Sequence, residues 1–216
     1  MKAPSKICIC LGDIDRSTAL EVLKSEALCE LRLDLLQEIE PFAELLTAGA
    51  KLVVTCRPNG KQPDSIRVEL FKAAIKHAVY AIDLDLDDPL LPSLKEQILS
   101  SHVKLILSYH NFLNTPEIEK LNELRDSAFN TGANIFKLAT QVNNKNDVIR
   151  LLSLLEDKRE QIIIGMGELG KVVRVTAPYL GSVFSYVGTS NSKTAPGQLS
   201  SLELKECWKI LGEPNV

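Results

Sequence analysis

The sequence predicts an eight-stranded parallel (β/α) barrel of the TIM type, in the α/β class. Three observations lead to it: eight short apolar runs, amphipathic stretches between them, and 216 residues without a Pro/Gly-rich linker. Eight strand–helix units in this length favour a closed barrel over an open doubly wound sheet. We therefore expect one catalytic domain over 1–216, with too few residues before the first strand to plug the bottom of the barrel.

The predicted strands are short and rich in Val, Ile and Leu. They cover 6–12, 28–34, 51–57, 80–86, 103–110, 134–140, 161–167 and 183–188. Apolar residues recur at helical spacing between the strands, which predicts helices over 16–27, 41–50, 65–78, 146–158 and 199–212. Thr115-Pro116 and Gly132 bound a further helix between the fifth and sixth strands, because Pro is common where helices begin and Gly where they end.

The composition is that of an ordinary globular protein, with 45% hydrophobic and 25% charged residues and a formal net charge of −3. It offers no basic surface for nucleic acid or for an anionic membrane, so neither is an expected partner. The N-terminus lacks the apolar core of a signal peptide, and no stretch has the length of a membrane span. The predicted location is therefore the cytoplasm.

The five cysteines lie mostly in apolar runs and are odd in number. They are Cys8, Cys10, Cys29, Cys56 and Cys207. Metal clusters need tighter groups with other ligands, so this pattern predicts reduced thiols in the core.

Five consecutive strands, the second to the sixth, carry polar side chains on the face opposite their leucines. Because side chains alternate along a strand, Glu30 and Arg32 share one face and Leu31 and Leu33 the other. The same alternation gives an inward polar set of Thr55, Arg57, Asp83, Asp85, Ser108, His110 and Lys137. Charges are costly to bury without a function, and the active sites of this fold lie at the strand ends. The alternative is that these strands are half-exposed and that their charges face solvent. It would have to hold for all five consecutive strands.

Lys137 and His110 are the candidates for catalysis. Burial in the barrel is expected to lower the pKa of Lys137 towards the free amine that condenses with a carbonyl. His110 ends the fifth strand and suits general acid–base work, whereas His77 and His102 close helical stretches. Taken alone, Lys137 could be an edge-strand lysine and His110 a core histidine. No group of acids and histidines has metal-site spacing, so neither a metal nor a cofactor is expected.

Residues 165–170 match the glycine pattern of a dinucleotide-binding turn, G-x-G-x-x-G. Such a site needs an acidic residue about twenty positions later to bind the ribose. No Asp or Glu lies between Glu168 and Glu203, and one predicted strand follows. The glycines therefore predict a tight turn over the mouth of the barrel.

Six short motifs follow one another between about residue 7 and residue 212. They are 30–34 (ELRLD), 55–57 (TCR), 108–112 (SYHNF), 136–139 (FKLA), the arginine loop 170–174 (GKVVR) and the lid 194–198 (TAPGQ). In this order they resemble the motifs of type I 3-dehydroquinate dehydratases. Each motif alone is weak, but six in order are specific. The resemblance implies a lyase of the shikimate pathway that removes water from 3-dehydroquinate to give 3-dehydroshikimate.

The resemblance also implies roles for the matched positions. Lys137 would form an imine with the ring ketone, and His110 would transfer the protons. Arg174 would bind the substrate carboxylate, and Thr194 would close with the lid. The ring hydroxyls would be held by Glu30, Arg32, Arg57 and Gln198.

Two positions depart from the pattern of the family. Many members carry a glutamate in an E-G-G turn after the third-strand arginine, where it helps to orient the histidine. Here the turn, 58–61, reads PNGK and holds no acid, and Asn111 stands where an aspartate is common. The acid that fixes the tautomer of His110 is therefore open among Asp83, Asp85 and Glu30.

Two other functions and several forms of the chain stay open. A Schiff-base aldolase acting on a sugar phosphate would share Lys137, and 188–193 (GTSNSK) could bind the phosphate. It would not explain the arginines of the second and third strands. A silent barrel, kept as a scaffold or fusion partner, is favoured by the missing glutamate alone. The family's usual N-terminal hairpin does not fit the short start of this chain, and a homodimer or a fusion to a shikimate dehydrogenase domain is open.

Overall fold

Eight parallel strands form one sheet in the computed structural model, which describes residues 6–58, 61–189 and 197–214. The strands are β1 (Ile7–Leu11), β2 (Leu28–Arg32), β3 (Lys51–Thr55), β4 (Ala81–Asp85), β5 (Lys104–Asn111), β6 (Ile135–Gln141), β7 (Gln161–Met166) and β8 (Ser185–Val187). Each begins and ends within two residues of the predicted bounds, since the alternating apolar runs mark the strands clearly.

Helices alternate with the strands along the chain. They are α1 (Arg16–Ser25), α2 (Phe42–Leu46), α3 (Asp64–Lys76), α4 (Leu91–Leu99), α5 (Ile118–Thr131), α6 (Lys145–Ser153), α7 (Lys171–Thr176) and α8 (Ser201–Leu211). Gly132 ends α5 in the left-handed conformation, as the sequence predicts. Capping boxes begin α6 at Asn144 and α8 at Ser200.

The strand order closes the sheet into a barrel. Neighbours run β7-β6-β5-β4-β3-β2-β1-β8, and β1 pairs in parallel with β8. A parallel bridge between Gln161 and Ser182 brings the start of β7 to the segment that leads into β8. The predicted TIM-type barrel is therefore confirmed.

The two faces of the strands build two apolar layers. Leu31, Val54 and Leu84 belong to the layer between the strands and the helices. Val53 and Ile106 belong to a second layer inside the barrel. The inner layer turns polar near the carboxyl ends of the strands, where Asp83 and Lys137 are buried. The predicted inward direction of the charged faces is confirmed.

The turn after β7 needs its glycines because two stretches of backbone touch there. A Cβ on Gly165 would lie 2.7 Å from the Cα of Gly170, and Gly167 has a φ of +79°. These positions therefore exclude larger side chains. The predicted tight turn is confirmed, but the arginine motif that follows it forms the short helix α7 instead of a loop.

The structure also tests the predictions for the cysteines, for His77 and His102, and for membrane-spanning segments. Four cysteines are buried free thiols, whereas Cys207 on α8 is half-buried. His77 caps the end of α3, and both it and His102 are exposed. In the described part of the chain, no helix is both long and apolar enough to cross a membrane.

Candidate active site

A cavity of about 380 Å³ opens among the carboxyl ends of the barrel strands. This volume suits a small molecule. Every predicted site residue that the structure describes lines it: Glu30, Arg32, Arg57, His110, Lys137, Arg174 and Gln198. Thr194 lies outside the described residues. Parallel pairing brings these side chains together, because the ends of all the strands meet at one mouth.

Lys137 lies in the middle of β6 and is almost entirely buried, with 5% of its surface exposed. Its Nζ donates to Asp83 Oδ2 at 2.7 Å and to Glu30 Oε1 at 3.3 Å. The ring centroid of Tyr186 lies 4.0 Å from the same nitrogen, a cation–π distance. Two carboxylates and an aromatic face thus surround the amine.

These carboxylates reverse the expected pKa shift of Lys137. Burial is the largest single influence and lowers the pKa, but Asp83 and Glu30 together outweigh it, and the pKa of Lys137 is raised. The prediction that burial would bring Lys137 towards the free amine is therefore wrong. The sequence predicts that Lys137, Asp83 and Glu30 all point into the barrel. It does not predict that they contact one another.

Glu30 uses both carboxylate oxygens inside the barrel. Oε1 accepts from Thr55 Oγ1 at 2.8 Å as well as from Lys137, and Oε2 accepts from the Cys10 thiol at 2.8 Å. Burial opposes its charge, but Lys137 and Arg32 offset that cost, and the pKa of Glu30 is lowered. Glu30 therefore provides a fixed negative charge beside Lys137. That it also holds a ring hydroxyl stays a prediction.

Arg32, on β2, and Arg57, just after β3, are already paired with acids. Arg32 forms a two-point contact with Asp34, at 3.1 and 2.7 Å. Arg57 contacts Asp85 Oδ1 at 2.8 Å and Asp83 Oδ2 at 3.1 Å. Both guanidinium groups line the cavity, but their charge is already balanced.

Arg174 is different, because it is buried without an acid. Its side chain rises from α7 with 2% of its surface exposed. Nε donates to the Gly165 carbonyl at 2.9 Å and Nη1 to the Tyr186 carbonyl at 3.3 Å. Among the described residues, no carboxylate lies within salt-bridge distance of it. Burial lowers the pKa of Arg174 to about 10, so an anion entering the cavity would relieve an unbalanced charge.

His110 lies at the mouth of the cavity, half-buried on β5. Its Nδ1 is 3.1 Å from Asp85 Oδ1, and the ring of Phe112 stacks on it with centroids 6.3 Å apart. Burial lowers the pKa of His110; Arg57 and Lys137 lower it further, while Asp85 opposes them. The imidazole is therefore neutral at neutral pH and can accept a proton.

No group of three or more His, Cys, Asp or Glu side chains that could hold a metal ion occurs within residues 6–58, 61–189 and 197–214. The polar groups of the cavity pair with one another instead, as in the contact between Lys137 and Asp83. The arrangement combines a buried lysine, a neutral base and an arginine that contacts no acid among the described residues. Chemically, it can bind an anion and form an imine with a carbonyl.

Comparison with known proteins agrees with this chemistry. A model of the type I 3-dehydroquinase family matches residues 7–215. The chain belongs to this family. The family membership makes it a carbon–oxygen lyase and places it in the shikimate pathway.

Similar proteins cover nearly the whole chain. A 3-dehydroquinate dehydratase from Thermodesulfovibrio yellowstonii is 35% identical over 95% of this chain and 95% of its own length. One from Methanococcus maripaludis is 34% identical over 94% of this chain and 100% of its own. The crystal structure of the 3-dehydroquinate dehydratase from Geobacillus kaustophilus has a TM-score of 0.82 at 26% identity, over 95% of this chain and 90% of that one.

Two residues of this type I 3-dehydroquinase site were not predicted from the sequence. Tyr186, on β8, presents its ring to Lys137, and Cys10, on β1, donates to Glu30. The alternation in 183–188 (VFSYVG) could have placed Phe184 and Tyr186 on one face. It does not say which face points inwards, because small and apolar residues occupy both.

Proposed function

We propose that this chain removes water from 3-dehydroquinate, giving 3-dehydroshikimate, through an imine on Lys137. The observation that carries the proposal is the buried amine of Lys137 between Asp83 and Glu30, at 2.7 and 3.3 Å. It shares its cavity with a neutral histidine and with Arg174, which contacts no acid in the part of the chain that the structure describes. Family membership and the six motifs in order support the same reaction. They speak against the aldolase and silent-barrel alternatives. The segment 188–193, which could bind phosphate in the aldolase alternative, lies largely outside the described residues.

Substrate binding would begin at Arg174. A carboxylate accepts two parallel hydrogen bonds from a guanidinium group, and the bond gains strength where water is excluded. Arg174 is buried and unbalanced, whereas Arg32 and Arg57 already contact acids. We therefore assign the carboxylate to Arg174. The ring hydroxyls would then meet Glu30, Arg32, Arg57 and Gln198.

Imine formation would follow at Lys137. The Lys137 ammonium first gives a proton to neutral His110, and the free amine attacks the ring ketone; a second proton passes from nitrogen to the ketone oxygen to give the carbinolamine. The protonated His110 then returns its proton to the carbinolamine hydroxyl, which leaves as water. The C=N bond replaces the C=O bond, and the product is a cationic iminium. Asp83 and Glu30, which stabilise the ammonium, would stabilise this cation in the same way.

Elimination would then use His110 as a base and afterwards as an acid. The iminium withdraws electrons from the neighbouring carbon, so neutral His110 can remove a proton from it and leave an enamine. The enamine electrons expel the hydroxyl from the next carbon, and the protonated imidazole supplies the proton that makes it water. Hydrolysis of the imine releases the product and restores Lys137.

The finer statements about form and location are proposals as well. We propose that 1–216 act as one catalytic domain in the cytoplasm, in line with the buried, reduced thiols of Cys8, Cys10, Cys29 and Cys56. The homodimer and the fused form stay predictions.

Addition of 3-dehydroquinate should produce the absorbance of a conjugated enone, and prior treatment with EDTA should not change its rate. The reason is that an imine, and not a metal ion, accepts the electrons in the proposed reaction. A rate that falls with EDTA and returns with zinc or magnesium would contradict the imine mechanism. An absence of enone from untreated protein would contradict the proposed function itself.

Arg174→Ala should raise KM about ten- to hundredfold with a smaller change in kcat. A charged hydrogen bond to an anion is worth about 1.5–3 kcal/mol, and a carboxylate that does not react gains equally in the ground and transition states. Steady-state kinetics would measure both constants. Arg174→Lys is the matched control, because it keeps the charge without the two-point contact. Its KM should lie between those of the unmodified chain and Arg174→Ala. An unchanged KM in the alanine variant would move the carboxylate site, with Arg57 the next candidate.

A further inference from the structure

The acid that contacts His110 comes from the neighbouring strand and not from the turn after β3. We infer that Asp85 is the positioning residue of His110: its carboxylate accepts the Nδ1 proton and leaves Nε2 as the free base. The inference rests on the proposed function of this site. In the family that the sequence resembles, a glutamate in the turn after the third strand helps to orient the histidine. Here that turn, 58–61, holds no acid, and a residue of β4 takes its place.

The geometry of Asp85 suits this task. Its Oδ1 lies 3.1 Å from His110 Nδ1 and accepts from Arg57 Nη1 at 2.8 Å. The backbone of Asp85 pairs with Ser108 in the parallel ladder, two residues before His110, so the two side chains lie on the same inward face. The acid is therefore held by backbone register and by a second cation.

The other two acids named by the sequence are occupied elsewhere. Asp83 contacts Lys137 at 2.7 Å and accepts from Ser108 Oγ at 2.6 Å. Glu30 accepts from Thr55, Cys10 and Lys137. Within the described residues, Asp85 is the carboxylate that reaches the imidazole. Asp83 and Glu30 thus contact Lys137, whereas Asp85 contacts His110.

A buried cluster beside the carboxyl ends of β3 and β4 holds the backbone of Asp85. Arg67, fully buried on α3, donates to the Cys56 carbonyl at 2.8 Å and forms a salt bridge with buried Asp88. The amide of Asp88 in turn donates to the Asp85 carbonyl at 3.0 Å. Arg67 thereby ties the end of β3, which carries Arg57, to the end of β4. The carboxylate has little freedom to leave His110.

The chemical consequence is a defined tautomer. A carboxylate can only accept a hydrogen bond, so the Nδ1 that faces Asp85 must carry the proton, and the lone pair lies on Nε2. The charged groups around His110 are Arg57 from the segment after β3, Asp83 and Asp85 from β4, and Lys137 from β6. Of these, Asp85 directly contacts the ring and stabilises the imidazolium that forms when Nε2 takes a proton.

Asp85→Asn should reverse the tautomer of His110 and lower kcat. The amide NH₂ would donate to Nδ1, so the proton would move to Nε2 and the base would be lost. Because the chain has three histidines, ¹⁵N NMR of the imidazoles can read the tautomer without substrate, and His110→Gln identifies its signals. We expect the Nδ1–H form in the unmodified chain and the Nε2–H form in the variant. We also expect kcat to fall about 10²- to 10⁴-fold, with a smaller change in KM.

The pH profile gives a second test with a definite sign. The base must be neutral, so kcat/KM is lost as the pH falls through the lowered pKa of His110. Asp85 raises that pKa, so its removal should move the acidic limb to lower pH. Asp85→Glu keeps the carboxylate and should restore part of kcat and the Nδ1–H tautomer. Asp87→Asn removes the same charge from an exposed residue that also lines the cavity, two positions away, and should leave the tautomer unchanged.

Two outcomes would overturn the inference while leaving the dehydratase function intact. In the first, Asp85→Asn keeps the Nδ1–H tautomer and the original pH profile. In the second, the variant raises KM with kcat unchanged, which would mean that Asp85 acts through Arg57. Failure of the proposed function would look different, because the unmodified chain would then give no enone.

Discussion

Lys137→Ala should abolish turnover of 3-dehydroquinate and, in the same variant, abolish the covalent label left by borohydride and substrate. The amine supplies the imine, and among the cavity residues that the structure describes no second lysine could replace it as an electron sink. The loss in kcat should therefore be at least about 10⁴-fold, as for removal of a nucleophile that acts in every step. Intact-protein mass spectrometry would measure the label, and peptide mapping should place it on residue 137 of the unmodified chain.

The alanine variant also leaves two buried acids without their cation. Asp83 and Glu30 are almost fully buried beside Lys137, and breaking a buried ion pair is strongly destabilising. Lys137→Arg is the matched control, because it keeps the positive charge but cannot form the imine. It should fold, bind substrate and remain unlabelled. Lys171→Ala, whose lysine pairs with Glu168 outside the cavity, should keep the label, so a label that maps to Lys171 would refute the assignment.

The acids around Lys137 favour every cationic form of this nitrogen. They raise the pKa of Lys137, which lowers the fraction of free amine before the reaction. After condensation the same nitrogen is an iminium, and its charge again lies beside Asp83 and Glu30. The two acids thus make it harder to deprotonate the Lys137 ammonium. They balance this cost by stabilising the iminium, the intermediate whose neighbouring carbon then loses a proton. A site with an apolar surrounding alone would favour the amine and disfavour the iminium.

The fold could be predicted from the sequence because strands of a barrel repeat one simple pattern. Leucines on one face and polar residues on the other identify β2 to β6, and the alternation fixes which side chains point inwards. Helix α7 was not predicted, since 171–176 (KVVRVT) is rich in β-branched residues, which are weak helix formers. Tertiary packing decides its conformation, because Val173 is buried against the end of β7.

The contacts within the site could not be predicted in the same way. Alternation gives the face of each side chain but not the register between strands, and register decides which side chains meet. Three acids were therefore equal candidates for His110, and the register of β4 with β5 favours Asp85. The pKa of Lys137 was predicted with the wrong sign for the same reason, because its two acids come from β2 and β4.

His110→Ala should separate proton transfer from imine formation. General acid–base catalysis is typically worth about 10²- to 10⁴-fold in a step, and His110 is assigned to more than one step. Turnover should therefore fall by several orders of magnitude, while Lys137 keeps its amine and still condenses slowly with the ketone. The iminium would then accumulate, because the proton beside it has no base.

Mass spectrometry should accordingly show this variant carrying one substrate less one water, without any borohydride. The unmodified chain passes through the same adduct but does not retain it, and Lys137→Ala should never form it. His102→Ala is the matched control, because that histidine is exposed before the start of β5 and far along the strand from the cavity. Near-normal turnover in His110→Ala would contradict the assignment of the base. Loss of both turnover and adduct would mean that His110 is needed to form the imine, and not chiefly to remove the proton.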